Sequence, residues 1–433
     1  MRGMTMGQLT EIFQPGSAYQ AFAARARRDY RPWDKIRRMA AAEGLDAQIA
    51  WFVIDQERRS GAQATGLVDA EGQPFWFSLP AELSRELMLN DQGLAGNIGQ
   101  ISPKRVGRRL SDRFITNATM EEAIASSLLE GAATTRSEAK AMLKEGREPR
   151  NAGEREVLNN YRAMRFVKDH LDEDLTPALL FEVHRLLLEG TPDADWGGRL
   201  RLTGERVDVV DERDQEVVHR PPPADALPGR LRHLCAFANI RPGSDPDRFM
   251  HPLLRAMAVH FQLGYEHPFH EGNGRTARAL FYWHVLRNGF WIFEFLPLSM
   301  RFRKATSQYT HAYLHTERDG NDLGYFFEFH LRMIGQARED FGAYLSDQQR
   351  RQEEAVQTFR GDARVTPRQA RLLDELIRKN LEISIKAHQT QARISYPTAR
   401  DDLLKLHAWG YLHERRDGRR KMYRPTGEAR GHG

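Results

Sequence analysis

From residue 112 to residue 345 apolar side chains recur every three or four positions with few breaks, which lays an apolar stripe along a helix. The spacing predicts helices in "EREVLNNYRAMRFVKDHL", "TPALLFEVHRLLLEG", "ALPGRLRHLCAFANI", "DRFMHPLLRAMAVHFQLGYEH", "RTARALFYWHVLRNG" and "DLGYFFEFHLRMIGQAREDFGAYL". Their succession predicts a helical bundle. A further helix is expected over 119–131, "TMEEAIASSLLEG", with Thr119 and Glu122 as a capping box and Gly131 as terminator. One segment breaks the helical period. "GRLRLTGERVDVVDERDQEVVHRPPPAD" has β-branched residues and a charged turn, and predicts a β-hairpin ending in a stiff triple-proline arm. Two strands alone are not stable in water, so this hairpin must lean on the bundle, leaving one edge open to a partner strand.

The first hundred residues read as basic amphipathic helices followed by a short hairpin, "GLVDAEGQPFWFSLP", turning at Glu-Gly. "GNIGQISPKRVGRR" reads as a glycine-rich linker. Beyond the bundle, "LSDQQRRQEEAVQTFRGDARVTPRQ" predicts a polar helix leading to a linker. The remainder runs helix, helix, turn, helix, hairpin, the order of a winged helix-turn-helix. A chain of 433 residues is too long for one core. The fold class expected is mainly α, in three parts: 1–110, 111–348 and 362–427.

Hydrophobic residues make up 40% and charged residues 28%, as in ordinary folded soluble proteins. No apolar run is long enough for a membrane span, and the N-terminus lacks the apolar centre of a secretion signal. The lone Cys235 lies in an apolar run, where a buried inert thiol is expected. These features point to the cytoplasm. A net charge of +5 is too small to imply nucleic acid.

The chemistry concentrates in "HPFHEGNGRTARAL", starting at His267. His267 and His270 form H-x-x-H-E rather than the zinc pattern H-E-x-x-H, and Pro268 with Gly-Asn-Gly breaks any helix through the site, which argues against zinc. A phosphate site accounts for more of the residues. Gly272, Asn273 and Gly274 let backbone approach a ligand, and a helix starts just there with unpaired N–H groups and a favourable dipole. Arg275 and Arg278, three apart, share a helix face and reach phosphate oxygens. Glu271 fits such a site if it holds Mg²⁺, and His267 then serves as general base for a hydroxyl.

The pattern H-P-F-x-E-G-N-G-R-x-x-R resembles the Fic (filamentation induced by cAMP) motif at every defining position. The resemblance runs through about residues 112–345, and the whole layout looks like long bacterial Fic proteins with a C-terminal winged helix. It implies an all-helical core, an N-terminal Fic-associated domain, and transfer of AMP from ATP to a protein hydroxyl with diphosphate leaving. By that likeness His267 would deprotonate a target Tyr, Thr or Ser, and Phe269 would pack beneath the loop. Glu271 would coordinate Mg²⁺ between the α- and β-phosphates. Gly272, Asn273 and Gly274 would form an anion cradle, with Asn273 on a phosphate oxygen. Arg275 would neutralise phosphate charge and Arg278 would fix the γ-phosphate. Arg278 also favours nucleotidyl transfer over the γ-phosphoryl transfer of Doc-like members, which depart at this position. Other family members use donors such as UTP or CDP-choline.

Upstream, Ser126 and Glu130 are four apart on one helix face. S-x-x-x-E-G is similar to the family's inhibitory motif, and implies that Glu130 pairs with Arg278 from an inhibitory helix in the same chain. The hairpin resembles the family's flap, which aligns a target protein by strand addition, with Val217, Val218 and His219 over the nucleotide. "SQYTHAYLHTERDGNDL" is similar to the adenosine-pocket segment and offers Tyr309 and Glu317, although Tyr309 reads equally well as a core tyrosine. At the tail, "ERRDGRRKMYR" gathers six basic residues around a turn, while Asp401 and Asp402 stand near the start of the candidate recognition helix. DNA binding and protein binding or homodimerisation both stay open for that module. Three functions are carried forward: an autoinhibited protein adenylyltransferase, which is favoured; an enzyme removing AMP, with Glu130 orienting a water; and a DNA-binding regulator whose Fic domain senses nucleotide.

Overall fold

Several helices in this chain start where the sequence supplies a cap. Thr176 accepts from the Leu179 N–H ahead of Pro177, His251 accepts from Leu253 ahead of Pro252, and Thr135 forms a reciprocal capping box with Glu138. The computed structural model describes residues 12, 14–26, 30–95, 108–205, 207–210, 217–244, 249–358, 362, 364–379, 381–417 and 420–426. The chain divides into two units, Met1–Glu339 and Asp340–Gly433.

In the first unit, α1 (Ala18–Ala26), α2 (Trp33–Ala42) and α3 (Ala47–Ser60) precede an antiparallel hairpin of β1 (Gln63–Val68) and β2 (Pro74–Phe77). There follow α4 (Ala81–Ala95), α5 (Arg108–Leu129), α6 (Arg136–Glu145), α7 (Ala152–Asp169) and α8 (Pro177–Leu188). A second antiparallel hairpin joins β3 (Val209–Val210) to β4 (Val217–His219), as the break in helical period predicts. Then come α9 (Leu227–Ala238), α10 (Pro252–Glu266), α11 (Asn273–Arg287), α12 (Leu298–Lys304), α13 (Thr306–Arg318) and α14 (Gly324–Thr358). Helices α10 and α11 pack together as the central pair, with α5 against α7 and α12, and α7 against α11. Phe261, Phe269, Phe281, Trp283 and Phe326 fill the centre. Cys235 is buried there, and burial pushes its thiol up to about 12, so it is inert as expected. Among the described residues no helix is long and apolar enough to cross a membrane.

The helix expected over 119–131 is longer at its start. It begins at Arg108, so the end of "GNIGQISPKRVGRR" is helical, while residues 96–107 lie outside the described residues. The proposed capping box is therefore wrong. Thr119 lies mid-helix and its hydroxyl donates back to Ile115 O at 2.9 Å. Glu122 is buried. It accepts from the Ser299 N–H and the Tyr282 hydroxyl, both at 2.9 Å, and from the Ser299 hydroxyl. The acid at the third position thus ties α5 to α12 instead of capping a helix. Gly131 does terminate the segment, at φ +90°.

The second unit follows the predicted order. It contains α15 (Pro367–Lys379), β5 (Ile383–Ser384), α16 (Ile385–Ala392), α17 (Tyr396–Ala408), β6 (Leu412–Asp417) and β7 (Arg420–Pro425), with the strands in the order β5-β7-β6. Leu373, Leu403, Leu406, Leu412 and Tyr423 form its core. Asp402 is buried against Arg368 and His388, and Asp401 pairs with Lys405 at 2.8 Å, so both acids of the candidate recognition helix are neutralised. Arg415 and Lys421 in the hairpin are likewise paired, with Glu382 and Glu414.

Because Glu122 carries three hydrogen bonds in a water-free setting, Glu122→Ala should cost about 3 kcal/mol of stability by orphaning its donors. Chemical denaturation of the purified variant beside the parent measures this; an unchanged midpoint would mean that the α5–α12 tie is not structural.

Candidate active site

The loop between α10 and α11 begins where Pro268 forces the helix to stop. The residue before a proline avoids helical geometry. His267 caps α10 in the left-handed region at φ +42°, its N–H still reaching Leu263 O at 3.1 Å. Such a conformation is costly for a side chain with a Cβ and must be held from outside. Arg201 holds it. Its Nε donates to His267 O at 2.9 Å, its N–H donates to Pro268 O at 3.0 Å, and its guanidinium also reaches Pro222 O. The His267 imidazole is half-buried, with Nδ1 3.4 Å from Gly264 O. Burial, and then the nearby His219, push its pKa down to about 4. The ring is therefore neutral near pH 7 and free to accept a proton.

Phe269 is fully buried and stacks on His184 with centroids 3.7 Å apart. The Nδ1 of His184 accepts from the Gly198 N–H at 3.0 Å, so Nε2 carries the proton and donates to Glu271 O at 2.8 Å. Asn273 departs from its expected role on a phosphate oxygen. Its Oδ1 accepts from Phe269 N and its Nδ2 donates to Phe269 O, both at 2.9 Å. The amide oxygen and one of its N–H groups close the loop into a ring. Gly272, at φ +81°, then makes a turn that a side chain would strain. Glu271 keeps its carboxylate at the surface, where Oε1 accepts from the Gly272 N–H and Arg275 Nη2, each at 2.9 Å.

Two buried arginines project from the first two turns of α11. Arg275 bridges Glu271 and Glu156, the latter at 3.0 Å. Arg278 donates from Nε to Ser126 Oγ at 2.8 Å and from Nη2 to Ser126 O at 3.1 Å, while Nη1 lies 2.8 Å from Glu130 Oε1. The α5 segment thus meets Arg278 as the S-x-x-x-E-G pattern predicts. The Glu130 carboxylate also sits directly on Gly274: a Cβ there would lie 2.4 Å from Oε1. It occupies the mouth of α11, where N–H groups and the helix dipole favour negative charge.

The donors suit a triphosphate. Arg275 Nε and Arg278 Nη1 are buried with no aligned acceptor, although Nη1 has its ion pair with Glu130. Phosphate oxygens are the acceptors such groups lack. Among the described residues no group of three or more His, Cys, Asp or Glu is arranged for a metal.

The other candidates sit less openly than expected. Val217 is exposed and Val218 half-buried on β4, but His219 is buried, with Nδ1 2.7 Å from Glu317 Oε2 and Nε2 2.7 Å from Tyr265 O. His219 and Glu317 are thus committed to each other, pinning the hairpin to α13. Tyr309 belongs to the core rather than to a base pocket. Its ring stacks on Phe302 at 4.9 Å and its hydroxyl meets His260 Nε2 at 2.8 Å. The core alternative for this residue is the correct one, because α13 turns its apolar face onto α14.

Residues 174–285, which contain the loop, match the Fic/DOC family. The chain thus carries a segment similar to the Fic/DOC family. A protein adenylyltransferase Fic of Nematostella vectensis is 32% identical to it over 180 residues, 41% of this chain and 37% of that one. Another, of Culex quinquefasciatus, is 31% identical over 138 residues, 31% of this chain and 25% of that one. The chain thus spans well under half the length of these relatives. A Fic family protein from Desulfovibrio desulfuricans G20 shares the fold, with a TM-score of 0.55 at 21% identity, covering 81% of this chain and 98% of that one.

Sequence reasoning missed Arg201, His184 and Glu156, which hold the Fic loop from three other elements. Only the apolar-face position of His184 in "FEVHRLL" offered a signal. Burial holds His184 at about 4, below the ordinary value near 6.5. The unfolded chain therefore takes up this proton first as pH falls. The stability contribution is intact above pH 6.5 and is lost between 6.5 and 4, at about 1.4 kcal/mol per pH unit while the difference persists. Urea midpoints measured at pH 7.5, 6 and 5 should fall less steeply for His184→Gln than for the parent, by one proton's worth of slope.

Proposed function

We propose that this chain is an autoinhibited protein adenylyltransferase that transfers AMP from ATP to a hydroxyl of a target protein and of itself. The observation that carries the reading is the Glu130 carboxylate, held over Gly274 and against Arg278 where a phosphate would sit. The match of residues 174–285 to the Fic/DOC family supports it, as do relatives bearing the name protein adenylyltransferase.

His267, neutral near pH 7, takes the proton of the attacking hydroxyl. Arg201 keeps that imidazole at the end of α10. The N–H groups of α11 with Arg275 and Arg278 neutralise phosphate charge, a catalysis by positioning and electrostatics. Glu271 would hold Mg²⁺, which when bound supplies charge neutralisation across the phosphates. The open edge of the β3–β4 hairpin would receive an extended target segment by strand addition. The second unit, read as a winged helix, would bring a DNA or protein partner. The brake is a charge exchange: while Glu130 holds Arg278, the terminal phosphate loses its partner.

The test is incubation of the purified chain with α-labelled ATP and Mg²⁺. Glu130→Gly should raise self-labelling on the order of tenfold or more, as expected for releasing a buried guanidinium from a partly exposed carboxylate, a pair worth about 1.5–3 kcal/mol. His267→Ala in that background should abolish it. Equal labelling of parent and Glu130→Gly would refute the brake, and no labelling of either would refute the transferase.

A further inference from the structure

The last turn of α10, which ends at His267, is bonded to the tip of the β1–β2 hairpin through three of its side chains. Tyr265 Oη accepts from the Ala70 N–H at 2.9 Å, and Gln262 Nε2 donates to Val68 O at 3.1 Å. Glu266 reaches the tip through Arg230 on α9. Arg230 Nε donates to Glu266 Oε2 at 2.6 Å, while Nη2 donates to Val68 O at 2.7 Å and Nη1 to Asp69 O at 3.0 Å. The Glu266 side chain is 1% exposed and that of Arg230 16%. A carboxylate so buried must keep its cation. The planar fork of Arg230 is filled only when the acid and both hairpin carbonyls are in place. The tip is itself fixed. Asp69 Oδ1 accepts from the N–H groups of Glu71 at 3.0 Å and Gln73 at 2.7 Å, and Oδ2 accepts from Asn321 Nδ2 at 2.7 Å. Phe75 on β2 is fully buried and meets Phe261 and Tyr265 edge to face, with centroids 5.1 and 5.2 Å away.

We propose that Arg230 and the β1–β2 hairpin form a clamp that positions His267 for its target hydroxyl. The left-handed turn at His267 needs restraint on both sides. Arg201 supplies it on the carbonyl side. The clamp supplies it on the helical side, at the residue directly before. With the clamp open, Glu266 loses its cation, and the last turn of α10 must shift toward water to hydrate the acid. His267 moves with that turn. The phosphate seat is carried by α11 instead, where Glu156 and Glu130 hold its arginines. Arg230, Gln262 and Tyr265 are therefore positioning residues, and none touches the reacting atoms. The consequence for catalysis rests on the proposed adenylyl transfer, whereas the clamp itself does not.

Two variants of the intact chain open the clamp from different ends. Tyr265→Phe removes one bond and keeps the ring. Arg230→Met combined with Glu266→Gln removes the fork without leaving a buried charge, which protects the fold. Hydrogen exchange read by mass spectrometry should show the amides of residues 263–267 exchanging on the order of fivefold to tenfold faster in either variant, as for one or two lost hydrogen bonds. Those of α11 should be unchanged. Unaltered protection of 263–267, or an equal loss across α11, overturns the clamp. In the Glu130→Gly background each variant should lower kcat for labelling from α-labelled ATP about tenfold, at unchanged KM for ATP. Undiminished kcat, or a KM that rises as kcat falls, overturns the positioning of His267. Failure of Glu130→Gly alone to label would instead sink the transferase reading, and exchange would still decide the clamp.

Discussion

The structure depends on one constraint: a buried guanidinium must face an anion. Arg278 is almost wholly inaccessible, and an unpaired charge in such a setting costs several kcal/mol. Its Nε and Nη2 donate to Ser126 and its Nη1 lies 2.8 Å from Glu130 Oε1. Gly274 leaves room for that carboxylate, since any side chain there would overlap it. The glycine that lets phosphate approach the helix mouth is thus the same glycine that lets the protein's own acid do so. On the function proposed above, substrate site and brake share one steric requirement.

Around this anion seat the protein commits most polar groups to shape. Asn273 ties the loop to itself, His184 braces Glu271 from below, and Arg201 fixes the left-handed turn at His267. Each is a buried side chain bonded to backbone, which sets loop geometry more firmly than side-chain pairs on a surface would. The groups with capacity to spare are the His267 imidazole, the second oxygen of the Glu271 carboxylate, and Arg275 Nε and Arg278 Nη1. Those are the groups a phosphate-transfer site needs.

What could be read from the sequence followed the range of the interaction. The Fic loop is contiguous, so its glycines, arginines and histidine declared the site within twelve residues, and S-x-x-x-E-G announced the acid that meets Arg278. The helices followed from their apolar period. Thr119 and Glu122 misled because an acid three residues after a threonine looks the same whether it caps a helix or is buried against Ser299, 177 residues away. Asn273 misled because its partner is backbone, which leaves no trace in side-chain identity. Tyr309 was undecidable alone. Its role is set by Phe302 and His260, which neighbour it only through packing of three helices.

The buried arginine also constrains how the brake can be released. Removing Glu130 from Arg278 with nothing in exchange leaves a charge facing a closed interior, so the free energy of opening falls when another anion arrives as the acid departs. The exchange is between two acceptors of like charge at one helix mouth. A nucleotide whose phosphates do not reach Arg278 provides no compensation, however well its base is held. On the function proposed above, discrimination by phosphate number would follow from the burial of one side chain, and the brake would be a competitor built from the same chemistry as the substrate.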